Sequence, residues 1–197
     1  MTRTHARLLG LLVLACGLGS TGCATAPRTP AARRSLHQDV LVTIERFKQR
    51  QPQLQPFFDD AEGYAVFPSV AKGGMGVGGA YGRGEVFERE QLIGHCDLSQ
   101  GTIGFQLGGQ VYSEIIFFDD AGALGRFKTG NFAFAARASA VALQAGASAD
   151  ADYEHGVAVF TMTRGGLMYE ATIGGQKFTF RPIGVTERDA ISSADPE

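Results

Sequence analysis

Residues 73–84 read GGMGVGGAYGRG, with Gly73, Gly74, Gly76, Gly78, Gly79, Gly82 and Gly84 inside twelve positions. Each glycine in a helix costs about 1 kcal/mol relative to alanine, so a helix does not hold seven of them. The stretch has to be extended chain. It echoes further along: Gly78-Gly79-Ala80-Tyr81, Gly108-Gly109-Gln110-Val111 and Gly174-Gly175-Gln176-Lys177 each lie between apolar runs. Each leads into an aromatic-rich segment, namely Val86-Phe87, Ile115-Ile116-Phe117-Phe118 and Phe178-Thr179-Phe180. Paired glycines inside strands mark bulges, sharp coiling or a close backbone approach. The spacing of the echo is irregular, so the chain is not read as a solenoid. The expected class is α+β, mainly antiparallel glycine-rich sheet, sandwich- or barrel-like.

Working outward, residues 64–67 form a short apolar strand that Pro68 is expected to stop. Upstream, Leu36, Val40, Ile44 and Phe47 are spaced as one face of an amphipathic helix. Ser35 followed by Gln38 is a capping-box start, and Pro52 ends the helix. Leu54, Phe57 and Phe58 predict one more short helical segment. Downstream, residues 119–129 (DDAGALGRFKT) predict a short helix, residues 131–143 return to alternation through Phe132 and Phe134, and residues 155–163 read as another strand. From Glu187 the chain is polar and is expected to be loose.

The N-terminus follows a different grammar. Arg3 and Arg7 precede an apolar run at residues 8–18, and Ser20-Thr21-Gly22-Cys23 closes it with small residues. That is the plan of a secretory signal. The run is about half of the roughly 20 residues that a permanent membrane helix requires. Cys23 after Thr-Gly, followed by Ala24-Thr25, looks like a lipobox, whose thiol is acylated; Val13-Leu14-Ala15-Cys16 is a competing box that would leave a very short apolar region. In lipoprotein sorting an aspartate after the lipidated cysteine implies inner-membrane retention. Ala24 stands there, so the expected location is the bacterial cell envelope, outer membrane, facing the periplasm. Residues 24–34 (ATAPRTPAARR) read as a flexible tether. The expected organisation is a signal at 1–22, a lipidated tether at 23–34, a domain at 35–186 and a tail at 187–197.

Loss of the signal removes two of the 18 basic residues and no acid, leaving 16 against 20 acids and a net charge of −4. Such a chain is a poor non-specific partner for nucleic acid. Besides the anchor only Cys96 remains, so there is no disulfide framework and stability must come from a core.

No enzyme motif stands out. Gly74-Met75-Gly76-Val77-Gly78-Gly79 satisfies the dinucleotide fingerprint formally, but AYGRGEVFERE after it is not the helix whose N-terminus would face a pyrophosphate. His95-Cys96-Asp97 offers three metal-ligand types, yet strand neighbours point to opposite faces, and no companion pair completes a site. A strand exposed on one face is the simpler reading. Glu114 beside Ile115-Ile116 reads as an outward residue of an alternating strand. The expectation is no catalytic residue, no metal and no cofactor.

The string running from Ala61 through Gly63-Tyr64-Ala65-Val66-Phe67-Pro68-Ser69-Val70, Lys72 and Gly74-Met75-Gly76 to Gly78-Gly79, Gly82 and Gly84 closely resembles the signature of the SYLF domain family. Gly101, Gly104-Phe105-Gln106 and Gly108-Gly109-Gln110 resemble its second motif, and Thr163-Arg164-Gly165-Gly166-Leu167 its third. The resemblance covers roughly residues 35–183 and implies a lipid-binding domain. Eukaryotic members bind phosphoinositides and in some cases actin filaments, while bacterial members are mostly lipoproteins.

Three acyl chains on a mature lipoprotein, at ~0.8 kcal/mol per buried methylene, already anchor it almost permanently. A phospholipid-binding domain would then recognise a headgroup rather than add an anchor. The acidic balance excludes a broadly basic face, so the headgroup site has to be local, with Lys72, Arg83 and Arg164 of the glycine motifs as candidates. The competing reading is an envelope protein-interaction or structural module, its glycine-smoothed sheet meeting a protein partner.

Overall fold

A computed structural model describes residue 27, residues 29–130, 133–134, 153 and 155–192. Cys16 and Cys23, and most of residues 131–143, lie outside this range. Helix α1 (Pro30–Arg50) begins five residues before Ser35. Thr29 caps it, its hydroxyl accepting from the Ala32 N–H at 3.2 Å, and Pro30 supplies a helix-ready φ at the first position. The residues expected to form a tether therefore become helix from Pro30 on. Val40, Ile44 and Phe47 are buried along one face, as the spacing predicts. A 3-10 turn (Pro52–Leu54) and helix α2 (Gln55–Asp60) follow, burying Leu54 and Phe58.

The sheet is a meander of three very long antiparallel strands: β1 (Gly63–Glu88), β2 (Gln91–Phe118) and β4 (Val157–Pro182). The two-residue β3 (Ala133–Phe134) pairs with β4, giving the order β1-β2-β4-β3 among the described residues. At about 3.3 Å per residue, strands of this length would run some 85–90 Å if straight. They do not run straight. In β1, residues 66–70 come back against residues 82–84: a Cβ on Gly84 would collide with the Val66 carbonyl and lie 2.8 Å from the Phe67 ring, and one on Gly82 would lie 2.8 Å from Val70 Cγ2. The sheet doubles over on itself.

The bend is bracketed by glycines aligned across strands. One row has Gly73 and Gly74 opposite Gly109 and Gly108; the other runs from Gly79 through Gly101 to Gly175. Two members of the echo, Gly78-Gly79 and Gly174-Gly175, fall on the row that crosses three strands, and the third, Gly108-Gly109, falls on the other row. Among the described residues the result is a single unclosed sheet in two layers, which accounts for the sandwich-like composition within an α+β architecture.

Between the layers lie Phe67, Val70, Val86, Leu98, Ile116, Phe118 and Phe178. Helix α3 (Ala121–Lys128), capped by Asp120 at 2.8 Å from the Ala123 N–H, adds Leu124 and Phe127 to that core. On the opposite face Tyr64, Val66, Ile115, Phe117 and Phe160 pack against α1 and α2. Two expectations are corrected here. Pro68 does not stop its strand: among the described residues β1 is a sheet edge, and the proline sits in a bulge between Phe67 and Val70, where its missing N–H costs no ladder bond. Residues 187–192 are not loose, because they belong to helix α4 (Val185–Ser192), whose Ile191 is buried in the second core.

This geometry separates the glycines by role. Gly84→Ala forces a methyl into backbone and should cost about 2–3 kcal/mol as overpacking, lowering Tm by roughly 5–10 °C for a domain of this size. Gly101 and Gly175 face open space, so their alanine variants should melt close to the parent. Equal melting of all three by calorimetry would mean that the strand does not fold back at Gly84.

Candidate functional site

Where β1 and β4 approach the bend, a cleft of about 550 Å³ opens between Ser69, Ala71 and Lys72 of β1, Gly109, Gln110 and Val111 of β2, and Arg164 and Gly165 of β4. Its position follows from the register, which sets Lys72 opposite Gln110 and Val111 opposite Gly165. Gly109 and Gly165 leave the main chain bare there. Arg164 is held by a 2.9 Å bond from Nη1 to the Pro68 carbonyl, which also accepts from Ser113 Oγ at 2.7 Å. The carbonyl freed by the proline bulge is thus what orients the arginine. Of the three basic residues singled out in the sequence, the fold brings Lys72 and Arg164 to one cleft.

Arg83 is elsewhere. Register pairs it with Asp97 on β2, and its Nε lies 3.0 Å from Tyr81 Oη and 3.9 Å from Asp97 Oδ1. Tyr81 in turn donates to Asp97 at 3.2 Å. This triad satisfies a nearly buried carboxylate and is a structural use of the arginine. Pairing across strands depends on register, which is why membership of a shared glycine motif grouped Arg83 with the other two.

Behind the cleft lies a polar interior. Glu114 is buried, not outward, because the doubled sheet covers the face it shares with Ile116. Its Oε2 accepts from Gln176 Nε2 at 3.0 Å across the two layers, while Glu114 Oε1 and Gln176 Oε1 have no hydrogen-bond partner among the described residues. Burial pushes the Glu114 carboxyl up to about 7, against the opposing pull of the Gln176 bond and the Lys72 charge. Lys72 therefore stands between a buried acid and the cleft.

His95-Cys96-Asp97 is likewise buried throughout, rather than exposed on one face. His95 lies 3.7 Å from Glu85 and 3.6 Å from Glu187 of α4. Desolvation lowers the imidazole pKa despite these carboxylates. Burial raises the Cys96 thiol well above its usual value, which makes it an unreactive core residue. Among the described residues no three His, Cys, Asp or Glu side chains gather as a metal site.

Comparison with known proteins bears on the same region. The family model described as Ysc84, Las17-binding protein actin regulator, matches residues 99–183. Beta cell expansion factor A of Aeromonas veronii is 27% identical over 152 residues, which is 75% of this chain and 56% of that protein. The chain thus spans little more than half the length of that curated relative. The matched segment holds β2 from Ser99 onward and all of β4, and therefore two of the three walls of the cleft.

The position of Glu114 gives a pH signature. Its folded-state value near 7 exceeds the ordinary 4.5, so the unfolded chain releases the proton first and stability falls as pH rises between these values. The loss amounts to something on the order of 3 kcal/mol by pH 8. Glu114→Gln should flatten that decline in urea-unfolding curves taken from pH 4.5 to 8. Identical pH profiles for the two proteins would show that the carboxyl is not held protonated.

Proposed function

We propose that this chain, which carries a SYLF (Ysc84) family domain, is a non-enzymatic, membrane-anchored bacterial lipoprotein whose domain binds phospholipid through a local headgroup site. The observation that carries the reading is the meeting of Lys72 and Arg164 in a cleft with Gly109 and Gly165 on its walls. A phosphate oxyanion is matched by the planar fork of an arginine and the point charge of a lysine, and bare backbone lets it approach closely. The full chain has a net charge of −2, so attraction to an anionic surface has to come from such a local site. Two cations on a mostly uncharged strand surface supply it.

The anchor rests on residues 1–23, with Cys23 as the acylated thiol and Ala24 favouring the outer membrane. Since acyl chains alone hold such a protein at the bilayer, the cleft serves to select a headgroup. The actin regulation named in the family description is not carried over, because an exported lipoprotein meets no actin.

Each basic residue near an anionic surface contributes about 1 kcal/mol. Chain from residue 27 onward should co-float with vesicles rich in anionic phospholipid and leave neutral ones. Lys72→Gln/Arg164→Gln should bind on the order of thirtyfold less, Arg83→Gln should bind as the parent does, and rising salt should weaken binding. Attachment to neutral vesicles at high salt would sink the headgroup site, and a chain that ignores every vesicle but oligomerises would favour an envelope protein-interaction module. Separately, Cys23→Ala in cells should release the protein from the membrane fraction or leave it unprocessed; normal acylation of that variant would shift the role to Cys16.

A further inference from the structure

The bend that doubles the sheet carries four large aliphatic side chains on its outside. Met75, Val77, Ile103 and Leu107 expose 78, 68, 72 and 60% of their surface. They are contiguous: Met75 pairs with Leu107 and Val77 with Ile103 across the β1–β2 ladder, so they form two neighbouring rows on one face. Residues 72–79 of β1 and 100–110 of β2 contain no acid, and on β4 the one acid at this level is Glu170, opposite Gln106. Single exposed aliphatics are ordinary, but a cluster of four at the apex of a fold marks a contact surface.

We propose that this apex dips into the hydrocarbon edge of a phospholipid bilayer while the Lys72–Arg164 cleft meets the phosphate layer behind it. The proposal rests on the headgroup reading above and adds a second, apolar contact to it. Size argues for a bilayer over a protein partner. A stable protein interface engages roughly 20–30 residues a side, whereas a narrow outward apex offers a handful. Spacing argues the same way. Lys72 lies three residues before Met75, and its ladder partner Gln110 lies three after Leu107, about 10 Å along the strands. The headgroup zone is roughly 5–8 Å thick on each side of the hydrocarbon core, so a shallow insertion of the apex brings the cleft to the phosphates.

The backbone can also enter such a medium. Apolar surroundings demand that main-chain N–H and C=O groups be paired. At the apex β2 is laddered on both sides, Ile103 between Val77 and Ile173 and Leu107 between Met75 and Tyr169, whereas β1 is an edge among the described residues, which limits the insertion to a shallow one. Gly76, between Met75 and Val77, adds no side chain to desolvate, and Gln106 is the one polar residue between Ile103 and Leu107.

The chain contains no tryptophan, so Val77→Trp in the full chain installs a single reporter at the apex. Val185→Trp on α4, at a side chain 70% exposed, is the control. Mixed with anionic vesicles containing lipids brominated on the acyl chain, the apex reporter should shift to the blue and be quenched, and the control should do neither. The N-terminal apolar segment can hold the full chain on vesicles by itself, but it does not bring Val77 to the bromine atoms. In the Val77→Trp chain, the further substitutions Met75→Asn, Ile103→Asn and Leu107→Asn should abolish the blue shift and the quenching with an unchanged melting temperature. Vesicle binding with an unquenched Val77→Trp reporter overturns the insertion and leaves the headgroup site standing. Absence of any preference for anionic vesicles overturns the headgroup reading and this proposal together. A blue shift without vesicles, with a dimer in sedimentation, assigns the apex to a second copy of the chain and overturns the insertion.

Discussion

Strands of 26, 28 and 26 residues cannot lie straight in a domain of this size. They have to bend at the same height, and a sheet bends sharply only where side chains do not obstruct one layer from meeting the other. Gly82 and Gly84 of β1 meet that requirement, since a Cβ there would strike Val70 or the Val66 carbonyl. Once the sheet is doubled, the rest is constrained. Its inner face becomes a core that α3 plugs with Leu124 and Phe127, and its other face takes α1 and α2. The outside of the bend is left as an apex, and the place where Pro68 breaks the ladder becomes a cleft.

Polar groups mark where the layers and helices are registered against each other. Glu114 and Gln176 join one layer to the other near the bend. At the far end His37 of α1 meets Glu85 of β1 at 2.8 Å, Glu85 faces His95 of β2, and His95 faces Glu187 of α4, which Arg33 of α1 grips at 2.6 Å. Removing one hydrogen-bonding partner from a buried polar cluster costs about 1–3 kcal/mol by orphaning the other. Such a cluster specifies how α1 and α4 sit on the sheet more than it strengthens the fold.

Much of this was legible in the residues. Seven glycines in twelve positions excluded helix, the 36-40-44-47 spacing gave the buried face of α1, and residues 119–129 gave α3. These are local matters of propensity, periodicity and capping, which one segment decides by itself. Element ends were misread where a neighbour supplied the missing partner. Pro68 continues in a strand because it falls at a sheet edge. Residues 185–192 hold as a helix because Ile191 has a core to enter and Glu187 has Arg33 and His95 to meet.

What the sequence by itself determined is therefore the class of the fold, the helices with strong local signals, and the basic residues available to an anion. The tertiary structure decided which of those residues act together, because contact between β1, β2 and β4 depends on register and on the doubling of the sheet. Lys72 and Arg164 lie 92 positions apart and share a cleft, while Arg83, only 11 positions from Lys72, is tied to Asp97. The same doubling turned Glu114 from an outward residue into a buried one and left Met75, Val77, Ile103 and Leu107 outside. Alternation along a strand fixes which residues share a face, but only the packing of one layer on another decides whether that face meets protein or solvent.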